Sequence, residues 1–273
     1  MRGVRVLITI KEYVAPQNIE EAYENLISKK NTVLFGGGAF IRMSSKNIQT
    51  AIDLSKAKID YIKETDNTIE IGAMTTFGDI ERSETLKKYF NDVLASSVKE
   101  IVGVQLRNIV TVGGTVYSRY GFSDFITGLL ALDTKVKLYK QGVIKLEEFL
   151  ANKSKEKDIL ECIIIEKDFR KASFKTMRNS KGDYAILNLA LSNFDGQFRI
   201  SVGARPNRAV LAYKTMEYLN NNGISDEHIN IASEILAEEI TFGSNSRGSG
   251  EYRRQISKVL FKRALTEVIS YEN

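Results

Sequence analysis

Two runs of glycine, Gly36–Gly38 and Gly113–Gly114, constrain the fold of this chain more than any other feature of its sequence. Each follows a stretch rich in β-branched residues, "TVLF" before the first and "VQLRNIVTV" before the second, so the pattern predicts two strand-like segments that end in glycine turns. Backbone N–H groups reach a phosphate where no Cβ intervenes, and glycine adopts the dihedral angles that such turns require. Each turn alone is typical of an ordinary tight turn, but two in one domain favour ligand binding.

Neither turn matches a more specific phosphate-binding motif. A P-loop needs a lysine and then Ser or Thr after its last glycine, and neither turn has that lysine. The spacing Gly36-x-Gly38 is a partial match to a dinucleotide fingerprint, but Ile41 stands where the third glycine belongs.

Composition narrows the class of protein. The 273 residues are 43% hydrophobic and 27% charged, and the net charge of +5 is spread along the chain, which argues against nucleic-acid binding. The sequence predicts no membrane span and no signal peptide. A single cysteine, Cys162, excludes an internal disulfide and an iron-sulfur cluster bound by this chain alone, and it favours a reducing cytoplasm.

The first half of the chain alternates helix and strand patterns. "NIEEAYENLISKK" predicts an amphipathic helix with Asn18 as its N-cap, and "IDYIKETDNTIEIGAM" predicts two strands joined at Asp66-Asn67. The spacing of apolar residues from Phe77 to Ile101 predicts a helix.

The second half is of a different type. "SFKTMRNSKGDYAILNLALS" and "GQFRISVGARPN" predict antiparallel strands linked by Asp195-Gly196, and the pattern becomes helical after Asn207. We therefore predict a boundary near residue 170, with domains at 1–169 and 170–273.

Several segments in this order resemble one known family. "VLFGGGAFIRM", "VQLRNIVTVGGTVYSRYGFSDFITGLLALDTKVKL", "FKTMRNSKGDYAILNLAL" and "YRRQISKVLFKRAL" are similar to the flavin-binding medium subunit of the molybdenum hydroxylases, the xanthine dehydrogenase and carbon monoxide dehydrogenase family. The resemblance implies an α+β fold: a two-subdomain FAD-binding domain of the vanillyl-alcohol-oxidase type, then a C-terminal antiparallel sheet with helices, as in the carbon monoxide dehydrogenase flavoprotein.

The resemblance also implies a function without acid-base chemistry on this chain. Substrate would be hydroxylated at a molybdenum-pterin centre on a large subunit, and electrons would pass through iron-sulfur clusters on a small subunit. FAD on this chain would deliver them to NAD or another acceptor.

Cofactor-binding residues follow from the resemblance. In the family the first glycine loop wraps the FAD pyrophosphate, the second loop meets the cofactor from the other side, and an apolar and a basic residue lie near the isoalloxazine ring. The corresponding positions here are Leu34, Phe35, Gly36, Gly37, Gly38, Ala39, Phe40 and Ile41 in the first loop, Thr111, Gly113, Gly114, Thr115, Ser118, Ser123 and Asp124 in and after the second, and Leu160 and Lys175 near the ring.

Three departures from the family pattern affect side-chain contacts. Ala39-Phe40 replaces the family's Thr-Asp or His-Ser, Thr115 replaces Asn or Asp, and Tyr120-Gly121-Phe122 replaces a segment with proline. Two alternatives therefore stay open. One is a stand-alone NADPH-dependent reductase of the UDP-N-acetylenolpyruvoylglucosamine reductase type, because the segment "FGGGAF" also resembles the glycine loop of that enzyme. The other is a flavin-free structural or assembly subunit.

Other residues are predicted to have structural roles. His228, the only histidine, is expected on a solvated helix, and Cys162 in a buried strand. In the C-terminal helix the spacing places Tyr252, Ile256, Val259, Leu260 and Ala264 on one apolar face, with Arg253, Arg254, Lys258 and Lys262 elsewhere, facing water or a partner.

Overall fold

The computed structural model describes residues 7–152 and 156–271. The apolar run at residues 4–10, which we do not interpret as a signal peptide, begins outside these ranges. The helices are α1 (Ile19–Ser28), α2 (Phe77–Arg82), α3 (Glu84–Phe90), α4 (Val93–Val98), α5 (Val104–Arg107), α6 (Val112–Ser118), α7 (Asp124–Ala131), α8 (Leu146–Ala151), α9 (Tyr213–Asn222), α10 (Asp226–Glu239) and α11 (Gly250–Ser270). The strands are β1 (Thr9–Val14), β2 (Thr32–Phe35), β3 (Asn47–Asp53), β4 (Ile62–Glu64), β5 (Thr68–Gly72), β6 (Lys135–Leu138), β7 (Gly142–Lys145), β8 (Leu160–Glu166), β9 (Lys171–Met177), β10 (Leu187–Phe194), β11 (Gln197–Gly203) and β12 (Val210–Leu211).

The strands form three sheets. A parallel sheet has the order β1-β3-β2, an antiparallel sheet has the order β4-β5-β8-β6-β7, and a second antiparallel sheet has the order β12-β11-β10-β9. The first two belong to the N-terminal half and the third to the C-terminal half, where α11 packs on β9 and β10. The predicted α+β architecture, with a helix-covered C-terminal antiparallel sheet, is confirmed.

Several predictions that depend on local caps and turns are confirmed. The side chain of Asn18 accepts a hydrogen bond from the N–H of Glu21 and caps α1, and β4 and β5 pair on either side of the predicted turn. Asp195 and Gly196, both with positive φ, make the tight turn between β10 and β11.

The predicted helix from Phe77 to Ile101 is wrong as a single element, because three short helices occupy this segment. Ser83 ends α2 and caps α3 through its side chain. Asn91 and Asp92 then take left-handed dihedral angles, which these residue types tolerate and which interrupt a helix.

The C-terminal helix buries a different face from the predicted one. Leu260 and Ala264 are buried as expected, but Tyr252 and Val259 are 43% and 40% exposed. Arg253, predicted to face water or a partner, is fully buried. Its guanidinium donates hydrogen bonds to the carbonyls of Ile186 (2.8 Å) and Gly243 (2.7 Å), and these acceptors offset its desolvation.

The two halves share one core. A continuous apolar cluster extends from Ala22 in α1 to Val268 in α11. Helix α7, which follows the second glycine pair in sequence, is buried along its whole length and packs against β10 and β11. The segment after the second glycine run therefore packs directly on the C-terminal sheet. No helix among the described residues is long and apolar enough to cross a membrane.

Candidate functional site

The first glycine loop presents unused hydrogen-bond donors. It begins where β2 ends and leads into a 3-10 turn at Ile41–Met43, with Gly38 at a φ of +71°. Within the described part of the chain, no main-chain N–H group from residue 36 to residue 40 donates a hydrogen bond to another protein atom. Five successive N–H groups without a protein acceptor are suited to an anionic ligand.

The loop lies along an open groove of about 400 Å³. The opposite wall is the segment around Thr111, followed by Ser118 and Tyr120, and Ser44 and Lys46 lie at the groove as well. Two smaller cavities adjoin it. One, of about 90 Å³, shares Gly36 and Gly114 with the groove.

The second adjoining cavity, of about 100 Å³, shares Phe40, Thr115 and Tyr120 with the groove. It extends the site towards the C-terminal half, because Arg178 and Tyr184 line it too. The groove and the two cavities thus share wall residues from both glycine segments.

The glycines of the first loop allow it to pack against the second segment. A Cβ on Gly37 would lie 1.4 Å from the carbonyl oxygen of Ile109, and a Cβ on Gly36 would lie 2.7 Å from Oγ1 of Thr111. Both distances are far below van der Waals contact, so any side chain at Gly37 forces the two segments apart.

The second glycine pair has a different conformation from the one its sequence predicts. Residues 104–107 form α5, and the glycines lie in the first turn of α6 rather than at the end of a strand. Thr111 caps this helix, because its Oγ1 accepts a hydrogen bond from the N–H of Gly114 (3.1 Å).

The N–H groups of the second pair are consequently occupied. Val112 donates to the carbonyl of Thr75 (2.9 Å), and Gly113 donates to the carbonyl of Ala73 (2.7 Å). A Cβ on Gly113 would lie 2.7 Å from the Cβ of Ala73, so this glycine allows α6 to approach the end of β5. Gly114 is different, since its Cβ would meet only Oγ1 of Thr111, at 2.9 Å. The sequence predicts two equivalent sets of free amides. Among the residues that the structure describes, only the first run has them.

Most of the predicted site residues lie together. The groove is lined by Leu34, Phe35, Gly36, Gly37, Gly38, Ala39, Phe40, Ile41, Thr111, Gly114, Thr115 and Ser118. Gly113 and Leu160 line the 90 Å³ cavity, and Ser123 and Asp124 line the 100 Å³ cavity. Their roles as cofactor contacts stay predictions.

Lys175 lies elsewhere. It is on β9, lines none of these three spaces, and forms an ion pair with Glu267 of α11. Burial lowers the pKa of Lys175, and the charges of Lys99 and Arg263 lower it further. The arrangement gives no support to its predicted position near a flavin ring.

Asp124 is engaged with protein groups. Its carboxylate accepts hydrogen bonds from Arg178 and Asn188, and it is only 4% exposed. Burial raises the pKa of Asp124, while Arg178 and Asn188 act in the opposite direction. This buried network joins α7 to the C-terminal sheet, which sequence reasoning missed because its partners are more than fifty residues away.

The departures from the family pattern contact one another. The ring of Phe40 lies 5.0 Å from that of Tyr120 and 5.7 Å from that of Phe122, and Phe122 lies 4.7 Å from Tyr184. These aromatic side chains connect the first glycine loop to the C-terminal half. The polar side chains expected at the loop are thus replaced by a set of mutual ring contacts.

His228 and Cys162 lie outside the site. His228 is partly buried on α10, where its ring meets Tyr218 edge-on at 6.0 Å. Cys162 is a buried residue of β8, as predicted, and burial raises the pKa of its thiol.

Comparison with known protein families gives two matches. Residues 8–166 match the FAD binding domain in molybdopterin dehydrogenase, and residues 172–268 match the CO dehydrogenase flavoprotein C-terminal domain.

Relatives match along almost the whole chain. The glyceraldehyde dehydrogenase medium chain of Sulfolobus acidocaldarius is 24% identical over 274 residues, which cover 94% of this chain and 97% of that protein. The nicotine 6-hydroxylase medium subunit of Paenarthrobacter nicotinovorans is 24% identical over 272 residues, covering 93% and 96%.

Solved structures share the fold. Quinoline 2-oxidoreductase from Pseudomonas putida 86 superposes with a TM-score of 0.85 at 19% identity, covering 96% of this chain and 98% of that chain. Carbon monoxide dehydrogenase from Hydrogenophaga pseudoflava, in a form that lacks the Mo-pyranopterin moiety, also gives 0.85, at 21% identity and with 95% and 97% coverage.

Proposed function

The chain belongs to the FAD-binding medium subunits of the molybdenum hydroxylase family, and on that premise we propose that its first glycine loop holds the FAD pyrophosphate through main-chain amides. We also propose that the bound FAD passes electrons from iron-sulfur clusters on a small partner subunit to NAD or another acceptor. The substrate would react at a molybdenum-pterin centre on a large partner subunit.

One observation carries this proposal. Five successive N–H groups, from Gly36 to Phe40, have no acceptor among the described residues and lie along a groove of about 400 Å³. A diphosphate has oxygen acceptors on both phosphates, and oriented main-chain amides bind such groups without a dedicated cation. The residues of the first loop therefore fit the cofactor that the family binds.

The chain's own groups have defined tasks in this arrangement. Gly36 and Gly37 hold the loop against residues 109–111, and the N–H groups of residues 36–40 bind the anion. Gly114 lines both the groove and the adjoining cavity without a side chain to fill them, and Leu160 supplies an apolar wall in that cavity. When bound, FAD supplies the capacity to exchange electrons singly or in pairs.

The sequence supports the proposal that a different subunit binds the iron-sulfur clusters. Its single cysteine, Cys162, lies in β8 and is 1% exposed, so this chain offers no set of thiolates for a cluster. Relatives are named as a medium chain or a medium subunit, which is consistent with separate subunits for the other cofactors. We further propose a cytoplasmic location, which suits a free thiol.

We keep the proposed boundary near residue 170. The two family matches end at residue 166 and begin at residue 172, and β8 ends and β9 begins around the same point. The buried contacts of α7 with β10 and β11 imply that the two parts unfold together despite this boundary.

A flavin-free assembly subunit is the second candidate. The contacts of Phe40 with Tyr120 and Phe122 favour it, because the ring of Phe40 occupies a position where the family has a polar side chain. The reductase alternative has less support, since the C-terminal half matches the carbon monoxide dehydrogenase flavoprotein domain.

The test begins with the purified chain. We expect flavin absorption bands, with FAD released on denaturation at about one per chain, or stoichiometric uptake of added FAD when the partner subunits are present. Reduction of the assembled complex by its substrate should then bleach the flavin, and added NAD should restore the bands if NAD is the acceptor. A colourless chain that takes up no FAD even with its partner subunits would favour the assembly subunit.

A further inference from the structure

A cavity of about 440 Å³ lies at the junction of the two halves, away from the glycine loops. Glu147 and Leu150 of α8 line one side, and Arg205, Val210, Lys214 and Thr241 of the C-terminal half line the other. The cavity shares no lining residue with the groove or its two adjoining cavities. Its properties are therefore independent of the proposed cofactor site.

A buried cation without an anionic partner lies in this cavity. Arg205 is 8% exposed, and its guanidinium donates to the carbonyls of Arg208 (2.9 Å) and Thr241 (2.7 Å). Among the described residues, no carboxylate oxygen lies within 4 Å of the charged nitrogens of Arg205, Arg208 or Lys214. Burial lowers the pKa of Arg205, and the charge of Arg208 lowers it further. A buried charge in this state is stabilised by an added anion.

The two carboxylates that line the cavity already have partners. Glu147 accepts a hydrogen bond from the hydroxyl of Tyr213. Glu239 caps the start of α9, accepting from the N–H of Lys214 (2.8 Å) and the hydroxyl of Thr215 (2.6 Å). The three cations outnumber these two acids, so the cavity has an excess positive charge.

The remaining walls are mostly apolar. Leu130, Leu150, Val210, Leu211 and Ile240 contribute aliphatic side chains. A volume of this size suits a small organic molecule, and the remaining N–H groups of a guanidinium donate charge-assisted hydrogen bonds to a carboxylate. A bare inorganic ion would leave the aliphatic walls without a partner.

We propose that this cavity binds a small organic carboxylate, with its carboxylate on Arg205, supported by Lys214, and its apolar body against the aliphatic walls. The ligand would touch both halves of the chain at once. Arg208 already connects them by donating to the carbonyl of Leu150 (3.2 Å), so a bound carboxylate would strengthen an existing contact.

Calorimetric titration of the full chain at constant ionic strength tests this proposal. Benzoate is the probe, benzamide is its neutral counterpart of the same shape, and inorganic phosphate is an anion without an apolar body. We expect one benzoate site per chain and at least about tenfold weaker binding of both benzamide and phosphate, equivalent to about 1.4 kcal/mol. Equal binding of benzamide, tighter binding of phosphate or no benzoate binding would overturn the proposal.

Variants locate the site. Arg205→Met keeps the apolar stem but removes the charge, and we expect no measurable benzoate binding. Since this variant loses two hydrogen bonds and can fail to fold, Lys214→Gln is the second variant, with benzoate binding weakened several-fold. Lys63→Gln, an exposed lysine on β4, is the matched control and should bind as the parent chain does. Unchanged binding in a folded Arg205→Met chain, or in Lys214→Gln, would place benzoate elsewhere and refute the assignment.

Discussion

The first glycine loop and the second glycine pair look alike in sequence but differ in how their main chains are used. Residues 36–40 leave five N–H groups without a protein acceptor, whereas Val112, Gly113 and Gly114 all donate to protein oxygens. The first run therefore leaves donors available to a ligand, and the second run places a helix against β5. A glycine motif identifies a close approach of the main chain, and only the hydrogen bonds show whether the approach is to a ligand or to the protein itself.

The largest expected effect is that of Gly37→Ala. The new Cβ would overlap the carbonyl oxygen of Ile109, so the loop must move away from the second segment. We expect a loss of more than about 4 kcal/mol in the free energy of unfolding, measured by urea denaturation. The control is Gly182→Ala, whose Cβ would meet no atom closer than 3.8 Å and should change stability by less than about 0.5 kcal/mol. Similar stability in the two variants would contradict the close contact between the segments.

Gly113→Ala tests the packing role of the second pair. Its Cβ would lie 2.7 Å from the Cβ of Ala73 and 2.9 Å from the Ala73 carbonyl oxygen. We expect a loss of about 2 kcal/mol in the free energy of unfolding, with FAD affinity in the folded fraction nearly unchanged. A stable variant with greatly weakened FAD binding would instead give Gly113 a direct role in the site.

Gly114→Ala should have the opposite effect to Gly113→Ala: it should weaken FAD binding and leave the free energy of unfolding nearly unchanged. The Cβ would meet only Oγ1 of Thr111, and alanine favours the helical conformation of α6 by about 1 kcal/mol. Stability should therefore change by less than about 1 kcal/mol, whereas FAD binding should weaken about tenfold because Gly114 lines the groove and a Cβ there takes space from the cofactor. The measurement is a fluorescence titration with FAD beside a denaturation curve. Unaltered FAD affinity would show that the cofactor does not approach this glycine.

Thr111→Val has the smallest expected effect. It preserves the shape of the side chain but removes the oxygen that caps α6, which frees the N–H of Gly114. We expect a loss of about 1 kcal/mol in the free energy of unfolding and at most a few-fold change in FAD affinity. Thermal unfolding with and without FAD measures both. A stability equal to that of the parent chain would mean that the cap contributes nothing.

The elements that the sequence predicts correctly are those that depend on neighbouring residues. Helix α1, the pairing of β4 with β5 and the hairpin of β10 with β11 depend on local signals, such as the Asn18 cap and the Asp195-Gly196 turn, and all were predicted. Ligand binding by the first loop also follows from the sequence, because two glycine turns fall in one domain, but it stays a prediction.

The second segment could not be predicted, because its conformation depends on distant residues. Its β-branched residues favour a strand, but the main-chain contacts of Val112 and Gly113 with Thr75 and Ala73 start a helix there. The partners of Asp124 and the burial of Arg253 likewise come from segments far away in sequence, for which a single sequence has no periodic signal.

Amide hydrogen exchange with and without FAD tests the central claim most directly, since it compares the two glycine runs in the same molecule. In the FAD-free chain, the amides of residues 36–40 should exchange rapidly and those of residues 112–114 slowly. Added FAD should slow exchange at residues 36–40 by at least about tenfold and leave residues 112–114 almost unchanged. If FAD binds but protects only residues 112–114, or neither segment, the first loop does not hold the pyrophosphate and the proposed site is wrong.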